Sequence, residues 1–501
     1  MRLKDGKRGR SRAAGVTRTA RLMHSGLCCP REASGVGRAV NLYCCILLLG
    51  LSGACVNLSP DYAPPPLPGG MPAAYKEDGR QQSVPAQVPT PGRWWEIFED
   101  PVLDNLMLRM NGANQNLAAA AAAMRGAAAA SDAARSALFP IFSVPVSAPR
   151  SGGENMRAGG RYSGGLQSSW EISFWNALPA YEAAGAEAEA SAADFAAARL
   201  LMQSDLALNY FQLRSLDSRR ELYESTIEAY KRAAALTDSQ FRGGMVTRMD
   251  LDQARAQLAD AQAQLAALER QRAELEHAIA VLCGQSPSGF SLPRASTAVR
   301  VPALPTELPS ALLERRPDIA AAERRVAAAN KRIGIARAAW FPSFTLGADV
   351  LWQAAQWRDA ALYTWTLGPS GALTLFQGGR RIADNEAAVA AYDAVAAQYR
   401  QAVLQAIREV EDALSDLRYL EREAESRATA ARAARSALRI ALSQYQGGLT
   451  TYLQVVSVQT TALANESSAI EVRGQRLAAA VNLVKALGGG FDAGEIQRLL
   501  R

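Results

Sequence analysis

The chain has 501 residues, of which 49% are hydrophobic, 7% aromatic and 21% charged, and its formal net charge is +7. The positive charge is concentrated at the start: residues 1–54 hold ten Lys or Arg and two acidic residues, whereas 55–501 hold 45 basic and 46 acidic residues. A nearly neutral body removes the main electrostatic support for nucleic-acid binding.

Residues 1–54 are predicted to be a signal peptide, because a basic segment precedes the apolar run AVNLYCCILLLGLSGAC at 39–55. This run is short for a membrane-spanning helix and ends in small residues. Residues 51–55 are similar to a bacterial lipobox, in which Cys55 becomes the lipid-carrying first residue of the mature protein. Ser52 stands where lipoboxes usually have leucine, so ordinary cleavage beside an incidental cysteine is the alternative. Either Met1 or Met23 could be the start.

Residues 55–90 are predicted to be a proline-rich tether between the lipid anchor and the body. Cys283 is the only cysteine after Cys55, so an internal disulfide within the mature chain is excluded. His277 is the only histidine outside the first 54 residues, and a lone helical histidine is more often a packing or surface residue than a ligand. The sequence therefore predicts no metal site and no cofactor.

Two stretches of the body align without a gap at an offset of 202: ARSALFPIFSV at 134–144 and ARAAWFPSFTL at 336–346. In each, an alanine-rich run favours helix and stops at an aromatic–proline pair, since Pro140 and Pro342 cannot continue a helix. Apolar and polar residues then alternate, which predicts a strand with one apolar face. Pro145 weakens the first strand, because proline donates no hydrogen bond to a sheet.

A second aligned pair, SQFRGGMVTRMDL at 239–251 and SQYQGGLTTYLQV at 443–455, has an offset of 204. The duplication predicts two repeats, each built as helix, strand, loop, strand, very long helix, Gly-Gly turn and helix, with the glycine-rich stretch 151–165 as a loop. The predicted bounds are a first repeat at 91–290 (strands about 141–149 and 166–176, tip turn 241–247), a linker at 291–306, a second repeat at 307–491 (strands about 343–353 and 365–376, tip turn 445–451) and a C-terminal tail at 492–501.

The predicted helices are long. Residues 380–442 contain no proline or glycine and would form a helix about 90 Å long. Residues 251–282 follow a heptad pattern that is typical of an antiparallel coiled coil, and Arg272 is its only violation. Its two seams are Leu251, Leu258, Leu265, Arg272 and Ile279, and Ala254, Ala261, Leu268, Leu275 and Leu282.

Four two-faced strands make a sheet but cannot close a barrel. An open sheet edge in lipid costs several kcal/mol for each unpaired backbone group, so the sheet either caps a soluble body or joins strands from other chains. Three chains would supply twelve strands, an ordinary number for a membrane barrel. Aromatic girdles at a membrane interface, or a simple hydrophobic core, would explain why aromatic residues cluster at these segments. These residues are Phe142, Trp170, Phe174, Trp175, Trp340, Phe341, Phe344, Trp352, Trp357, Tyr363 and Trp365.

Several motifs resemble the NodT-type outer-membrane efflux lipoproteins, which are TolC-like channels. They are WWEIFEDPVLDNLM (94–107), LPSALLERRPDI (308–319), LTLFQGGRRIADNEAAVAAYDAV (373–395), IREVEDALSDL (407–417) and AVNLVKALGGGF (480–491). The resemblance implies a mainly α fold with a small β part, in which a homotrimer forms a twelve-stranded barrel continued by a tunnel of helices. It implies a passive exit duct for small molecules in the outer membrane, with a periplasmic adaptor and an inner-membrane pump as partners.

The resemblance also assigns site residues. Gly243, Gly244, Gly447 and Gly448 would form the periplasmic tips of the helical hairpins, where the adaptor docks. Leu453 and the residue four positions on would form the closed aperture. Related channels have an aspartate at that second position, whereas this chain has Ser457 and therefore lacks the negative ring that concentrates cations.

A lipid-anchored periplasmic coiled-coil adaptor is the competing hypothesis, since adaptors also have long helical hairpins. The duplicated helix–strand units favour the channel. An enzyme is the least supported alternative, because carboxylates such as Glu409, Glu411 and Asp412 on one helix are typical of a solvated face.

Overall fold

A computed structural model describes residues 58–77, 92–154, 156–296, 299–302, 312–356 and 360–500. The predicted signal peptide, Cys55, residues 78–90 of the tether, residues 303–306 of the linker and Trp357 lie outside these ranges. The helices are α1 (Pro101–Ala113), α2 (Gln115–Ser136), α3 (Phe174–Arg242), α4 (Arg248–Leu282), α5 (Leu312–Arg315), α6 (Pro317–Ala338), α7 (Arg380–Gln446), α8 (Tyr452–Ala486) and α9 (Gly494–Leu499). The strands are β1 (Ile141–Ser143), β2 (Val146–Ser147), β3 (Arg150–Gly153), β4 (Met156–Gly160), β5 (Tyr162–Glu171), β6 (Ser343–Ala354) and β7 (Leu362–Ala372).

The two halves of the fold have matching helices. α2 and α6 have 22 residues each, α4 and α8 have 35 each, and α3 and α7 have 69 and 67. At 1.5 Å per residue, α3 and α7 are each about 100 Å long. α4 packs back along α3, and α8 packs back along α7. Within the described ranges, no helix has both the length and the apolar character needed to cross a membrane.

The main sheet is antiparallel and has the order β1-β5-β6-β7, with β2 also paired to β5. β5 pairs with β6 from Tyr162↔Ala354 to Glu171↔Thr345, so the two repeats meet in the middle of the sheet. β1 with β2 forms one edge of the sheet and β7 forms the other. β3 and β4 make a separate two-stranded hairpin.

Three predicted strand bounds are corrected by the structure. The strand placed at 141–149 is two short strands, β1 and β2, interrupted at Pro145, whose carbonyl accepts a hydrogen bond from Gly165 N at 3.2 Å. The strand placed at 166–176 is β5, which begins earlier and ends before Phe174, the first residue of α3. The strand placed at 365–376 is β7, which ends at Ala372.

The glycine-rich stretch 151–165 is also not a loop, since most of it forms β3, β4 and the start of β5. A Cβ on Gly164 would lie 2.8 Å from the ring of Trp352 on β6. Glycine is therefore used here for close packing of an aromatic side chain across the strand pair, and glycine content alone gave the wrong interpretation.

Aromatic side chains surround the junctions between helices and sheet. Trp175 lies 6.0 Å from Phe344 and 6.3 Å from Phe341 between ring centroids, and Trp170 lies 6.4 Å from Phe174. Tyr363 and Trp365 on β7 instead are 74% and 77% exposed. The predicted aromatic cluster thus divides into rings that pack on each other at the junctions and rings that the isolated chain leaves uncovered.

The main hydrophobic core lies where the long helices meet the shorter ones. It joins side chains of the Trp94–Phe98 turn and α1 to α3, α4, α6, α7 and α8. Trp94, Phe211 and Ile319 are completely buried. The predicted C-terminal tail contributes a helix, α9, whose Ile496 is buried in a smaller cluster with residues of α3 and α6.

Arg272, the residue that violates the heptad, lies at the centre of a buried ionic network. Its Nε donates to Asp217 Oδ1 at 2.7 Å, its Nη1 contacts Glu276 Oε2 at 2.8 Å, and its Nη2 donates to the carbonyl of Leu292 at 2.8 Å. Asp217 also pairs with Arg214 at 3.2 Å and accepts from the backbone of Ala295. The network therefore fixes the start of the linker between the repeats against α3 and α4.

Arg316, in the LLERRPDI motif, is the centre of a similar buried ionic network in the second repeat. It pairs with Asp318 at 2.6 Å and with Glu409 at 2.8 Å, and it donates to the carbonyl of Ala486 at 2.9 Å. It thereby ties the start of α6 to the middle of α7 and the end of α8. The side chain is only 8% exposed, so removing both carboxylates, Asp318 and Glu409, would leave a buried charge without compensation.

Residues 58–77, which we call the N-terminal strap, run along the outside of α6 and α7. Arg337 donates to the carbonyl of Leu58 at 3.2 Å, and Asn330 donates to that of Pro60 at 2.8 Å. At its other end both oxygens of Glu411 accept backbone N–H groups of the strap, at 2.7 and 2.9 Å. Gly334 permits the close approach, because a Cβ there would lie 2.1 Å from Ser59 Oγ.

We expect Asp217→Ala to destabilise the protein by about 3–5 kcal/mol, because it leaves two buried arginines without their shared carboxylate. Denaturant unfolding followed by circular dichroism measures this loss. Glu274→Ala is the matched control: it removes an exposed ion pair with Arg270 on the same hairpin and should cost less than about 1 kcal/mol. Equal effects of the two substitutions would contradict a structural role for the network.

Candidate functional site

The two Gly-Gly turns lie where α3 meets α4 and where α7 meets α8. Gly244 and Gly448 have φ of +75° and +70°, which L side chains rarely adopt. The next residues close each helix end: Met245 N donates to the carbonyl of Gln240 at 2.8 Å, and Leu449 N donates to that of Gln444 at 2.9 Å. Only the second glycine of each pair therefore needs to be glycine.

Gly243 and Gly447 have φ of −79° and −81°, ordinary helical values. Both returning helices start at a threonine cap. Thr247 forms a complete capping box with Asp250, and the side chain of Thr451 accepts from Gln454 N at 3.4 Å. The turns are therefore defined by hydrogen bonds on both sides and present their central side chains in fixed positions.

Each tip exposes two apolar side chains at equivalent positions. Met245 and Leu449 are 73% and 82% exposed, and one helical turn further Met249 and Leu453 are 66% and 54% exposed. Apolar side chains grouped at the end of a hairpin are typical of a protein contact surface. The sequence predicted the turns by their glycines and Leu453 as an aperture residue, but it missed Met245, Leu449 and Met249, which the 204-residue offset could have identified.

Leu453 and Ser457 are both exposed and lie four residues apart on α8, hence on one face. The opposite face of α8 packs inward: Tyr452 and Val456 are buried in a small cluster with Ala254 of α4. The structure thus places the two predicted aperture residues together on the exposed face of α8, near the second tip.

Two hydrogen bonds join the hairpins near their tips. Tyr445 OH donates to Gln240 Oε1 at 2.9 Å, and Gln257 Nε2 donates to Thr460 Oγ1 at 2.8 Å. Burial raises the pKa of Tyr445, and burial also raises the pKa of Tyr452, which it contacts, to about 12. Both phenols stay neutral at physiological pH, so uncharged contacts hold the hairpin ends together.

His277 is exposed and lines a shallow cleft between α3 and α4, together with Asp205 and Asn209. Burial raises the pKa of the Asp205 carboxyl, which lies near Lys485. Over the part of the chain that the structure describes, no group of three or more His, Cys, Asp or Glu side chains could hold a metal ion.

The sequence model of the outer membrane efflux protein family matches residues 109–285 and 308–489. These two segments correspond to the two repeats. The chain is 30% identical over 470 residues to the pyoverdine export outer membrane protein OpmQ of Pseudomonas aeruginosa, covering 90% of this chain and 96% of the relative. It is 27% identical over 459 residues to nodulation protein T of Rhizobium leguminosarum bv. trifolii, covering 88% of this chain and 96% of that one.

The solved structures that resemble this chain are also outer membrane channels. The open state of the MtrE outer membrane channel of Neisseria gonorrhoeae superposes with a TM-score of 0.78 at 26% identity, covering 87% of this chain and 99% of that one. The arrangement of long hairpins on a small sheet is therefore the fold of known outer membrane channels, which confirms the predicted TolC-like fold class.

Removing both links between the hairpins, with Tyr445→Phe and Thr460→Val, should loosen the tips. Each lost hydrogen bond is worth about 1 kcal/mol, so the rate of amide exchange near the turns should increase by roughly fivefold or more. Hydrogen–deuterium exchange with mass spectrometry measures this change. Thr461→Val is the control, because the Thr461 hydroxyl bonds only the carbonyl of Ser457 in its own helix at 2.9 Å. Unchanged exchange in the double variant would show that packing alone holds the tips.

Proposed function

The chain belongs to the outer membrane efflux protein family, and on that premise we propose that three copies form one channel, each giving four strands to a barrel and two hairpins to a periplasmic tunnel. The protein is the outer-membrane channel component of a tripartite efflux system. Its family and fold are those of transport proteins rather than enzymes. Cargo would pass through it passively, driven by an inner-membrane pump.

The open sheet carries the proposal of a trimer. β1 with β2 and β7 are edges in the single chain, and apolar side chains on them are exposed, such as Phe142 at 66%, Leu367 at 65% and Trp365 at 77%. In lipid, unpaired edge groups would cost several kcal/mol each. Pairing β7 of one copy with the β1–β2 edge of the next would satisfy these groups around a closed ring.

The hairpin tips would be the contact with a periplasmic adaptor. Gly244 and Gly448 fix the turns, and Met245 and Leu449 are the exposed apolar side chains that an adaptor could cover. Leu453 would form the narrowest apolar ring of the aperture, and Ser457 a polar, uncharged ring beside it. Both lie on one exposed face of α8, which supports this assignment.

The adaptor hypothesis is not favoured. The relatives and the matching solved structures are outer membrane proteins and channels over nearly the whole chain, and the family match includes the residues of the sheet.

The N-terminal strap supports lipidation of Cys55. Its first described residue, Leu58, is bound by Arg337 at the end of α6, next to the start of β6 at Ser343. Cys55 precedes Leu58 by only three residues, which span at most about 10 Å. The chain is thus already bound at the sheet end of α6 by Leu58, as an N-terminal lipid anchor in the outer membrane requires.

Planar-bilayer recording tests the channel. The purified protein should insert as discrete pores, and Leu453→Ala should raise their conductance, because it removes the apolar ring that narrows the aperture. Leu236→Ala is a control, since Leu236 is comparably exposed (47%) but lies on the first hairpin, away from the proposed ring. A failure of every variant to form pores would contradict the channel, and an unchanged Leu453→Ala conductance would contradict the aperture alone.

Metabolic labelling with palmitate tests the anchor. The wild-type protein should incorporate the label, whereas Cys55→Ser should lose it completely, because no thiol remains at the cleavage site. Cys283→Ser is the matched control and should keep the label, since Cys283 is buried within the helical core. Label retained in Cys55→Ser would exclude Cys55 as the acylated residue.

A further inference from the structure

The tip half of the second hairpin, residues 426–465, contains four arginines and no acidic residue. The equivalent 40 residues of the first hairpin, 222–261, contain five basic and six acidic residues. The two segments correspond under the 204-residue offset, so the difference lies within one duplicated unit. One hairpin tip is electrically balanced, whereas the other has only positive charge.

Most of the charge on the first hairpin is paired locally. Asp238 pairs with Arg242 at 2.6 Å and with Arg255 at 3.1 Å, and Arg248 pairs with Asp252 at 2.8 Å. The negative field of these carboxylates is therefore largely cancelled within the hairpin itself.

Two of the four arginines of the second hairpin are also neutralised, by acids just outside the segment. Arg427 pairs with Glu423 at 3.2 Å, and Arg435 binds both oxygens of Glu466 at 2.9 and 2.8 Å. Arg432 and Arg439 form no ion pair with any residue in the described ranges; Arg432 donates to the neutral hydroxyl of Thr429 at 3.0 Å.

Arg432 and Arg439 are both exposed and lie seven residues apart, which is two turns of helix on one face. On the same helix face, Glu425 lies two turns before Arg432, toward the body, and Gln446 lies two turns after Arg439, at the Gly-Gly turn. The proposed aperture residues nearby, Leu453 and Ser457, are uncharged. Between Glu425 and the turn, α7 has no acidic residue, and the acidic residues of α8 nearest the tip are Glu466, which is bound by Arg435, and Glu471.

We infer that the periplasmic entrance of this channel favours anionic cargo, that is, small molecules carrying carboxylate or comparable acidic groups. The inference rests on the proposed function, because three copies around one lumen would bring their unpaired Arg432 and Arg439 side chains together. Guanidinium groups in a narrow, partly apolar passage raise the local concentration of anions and repel cations.

Ion selectivity in planar bilayers tests the inference. With a potassium chloride gradient across the membrane, the reversal potential of the wild-type pore should have the sign of chloride preference. The double variant R432Q/R439Q should lower the chloride-to-potassium permeability ratio by roughly twofold or more, since the unpaired positive charge is removed. Arg439→Glu should shift the reversal potential further toward potassium.

R270Q/R294Q is the matched control, because it also removes two positive charges. Arg270 and Arg294 are exposed, pair with Glu274 and Glu269, and lie far from the tips, so their loss should leave the permeability ratio unchanged. A wild-type pore that prefers potassium, or an unchanged ratio in R432Q/R439Q, would overturn the inference while leaving the channel intact. Absence of pores would instead overturn the proposed function and the inference with it.

Discussion

The fold depends on one constraint: each backbone N–H and C=O group of the sheet needs a hydrogen-bond partner wherever it enters lipid. Within one chain, the pairing of β5 with β6 joins the two repeats and satisfies the middle of the sheet. The outer edges, β1 with β2 and β7, have no further partner strand within the described residues, and in the proposed ring other copies would pair with them. A duplicated half-unit suits this proposal, because each repeat would contribute a similar pair of strands to the ring.

Buried ion pairs stabilise the body of the protein, whereas neutral hydrogen bonds join the two hairpins near their tips. Arg272 and Arg316 each bind several partners and fix the segments that connect the repeats. Toward the tips, the contacts between hairpins include uncharged hydrogen bonds such as that of Tyr445 with Gln240. Breaking a buried ion pair costs more than breaking a neutral hydrogen bond, so stability decreases from the body to the tips. The proposed aperture at the tips would need this gradient, since it would have to move while the body stays folded.

The N-terminal strap links sequence, packing and location. Its backbone is bound by side chains of α6 and α7 along its length, from Arg337 to Glu411. A segment with little secondary structure of its own is thereby held against the helices. The proline-rich composition predicted only a tether, because the partners that bind the strap are more than 250 positions away in the sequence.

The sequence by itself determined the duplication, the two Gly-Gly turns and the long helices, because helical propensity, proline breaks and heptad spacing are local properties, and its resemblance to a known family implied the fold class. It misplaced the strands around Pro145, Gly164 and Phe174, where a partner strand or a helix cap decides what the backbone does. Only the tertiary structure explained Arg272, which breaks the heptad because Asp217 and the linker meet it in the core. It alone also placed the strap and the links between the hairpins, since such contacts join distant residues and leave no periodic pattern in the chain.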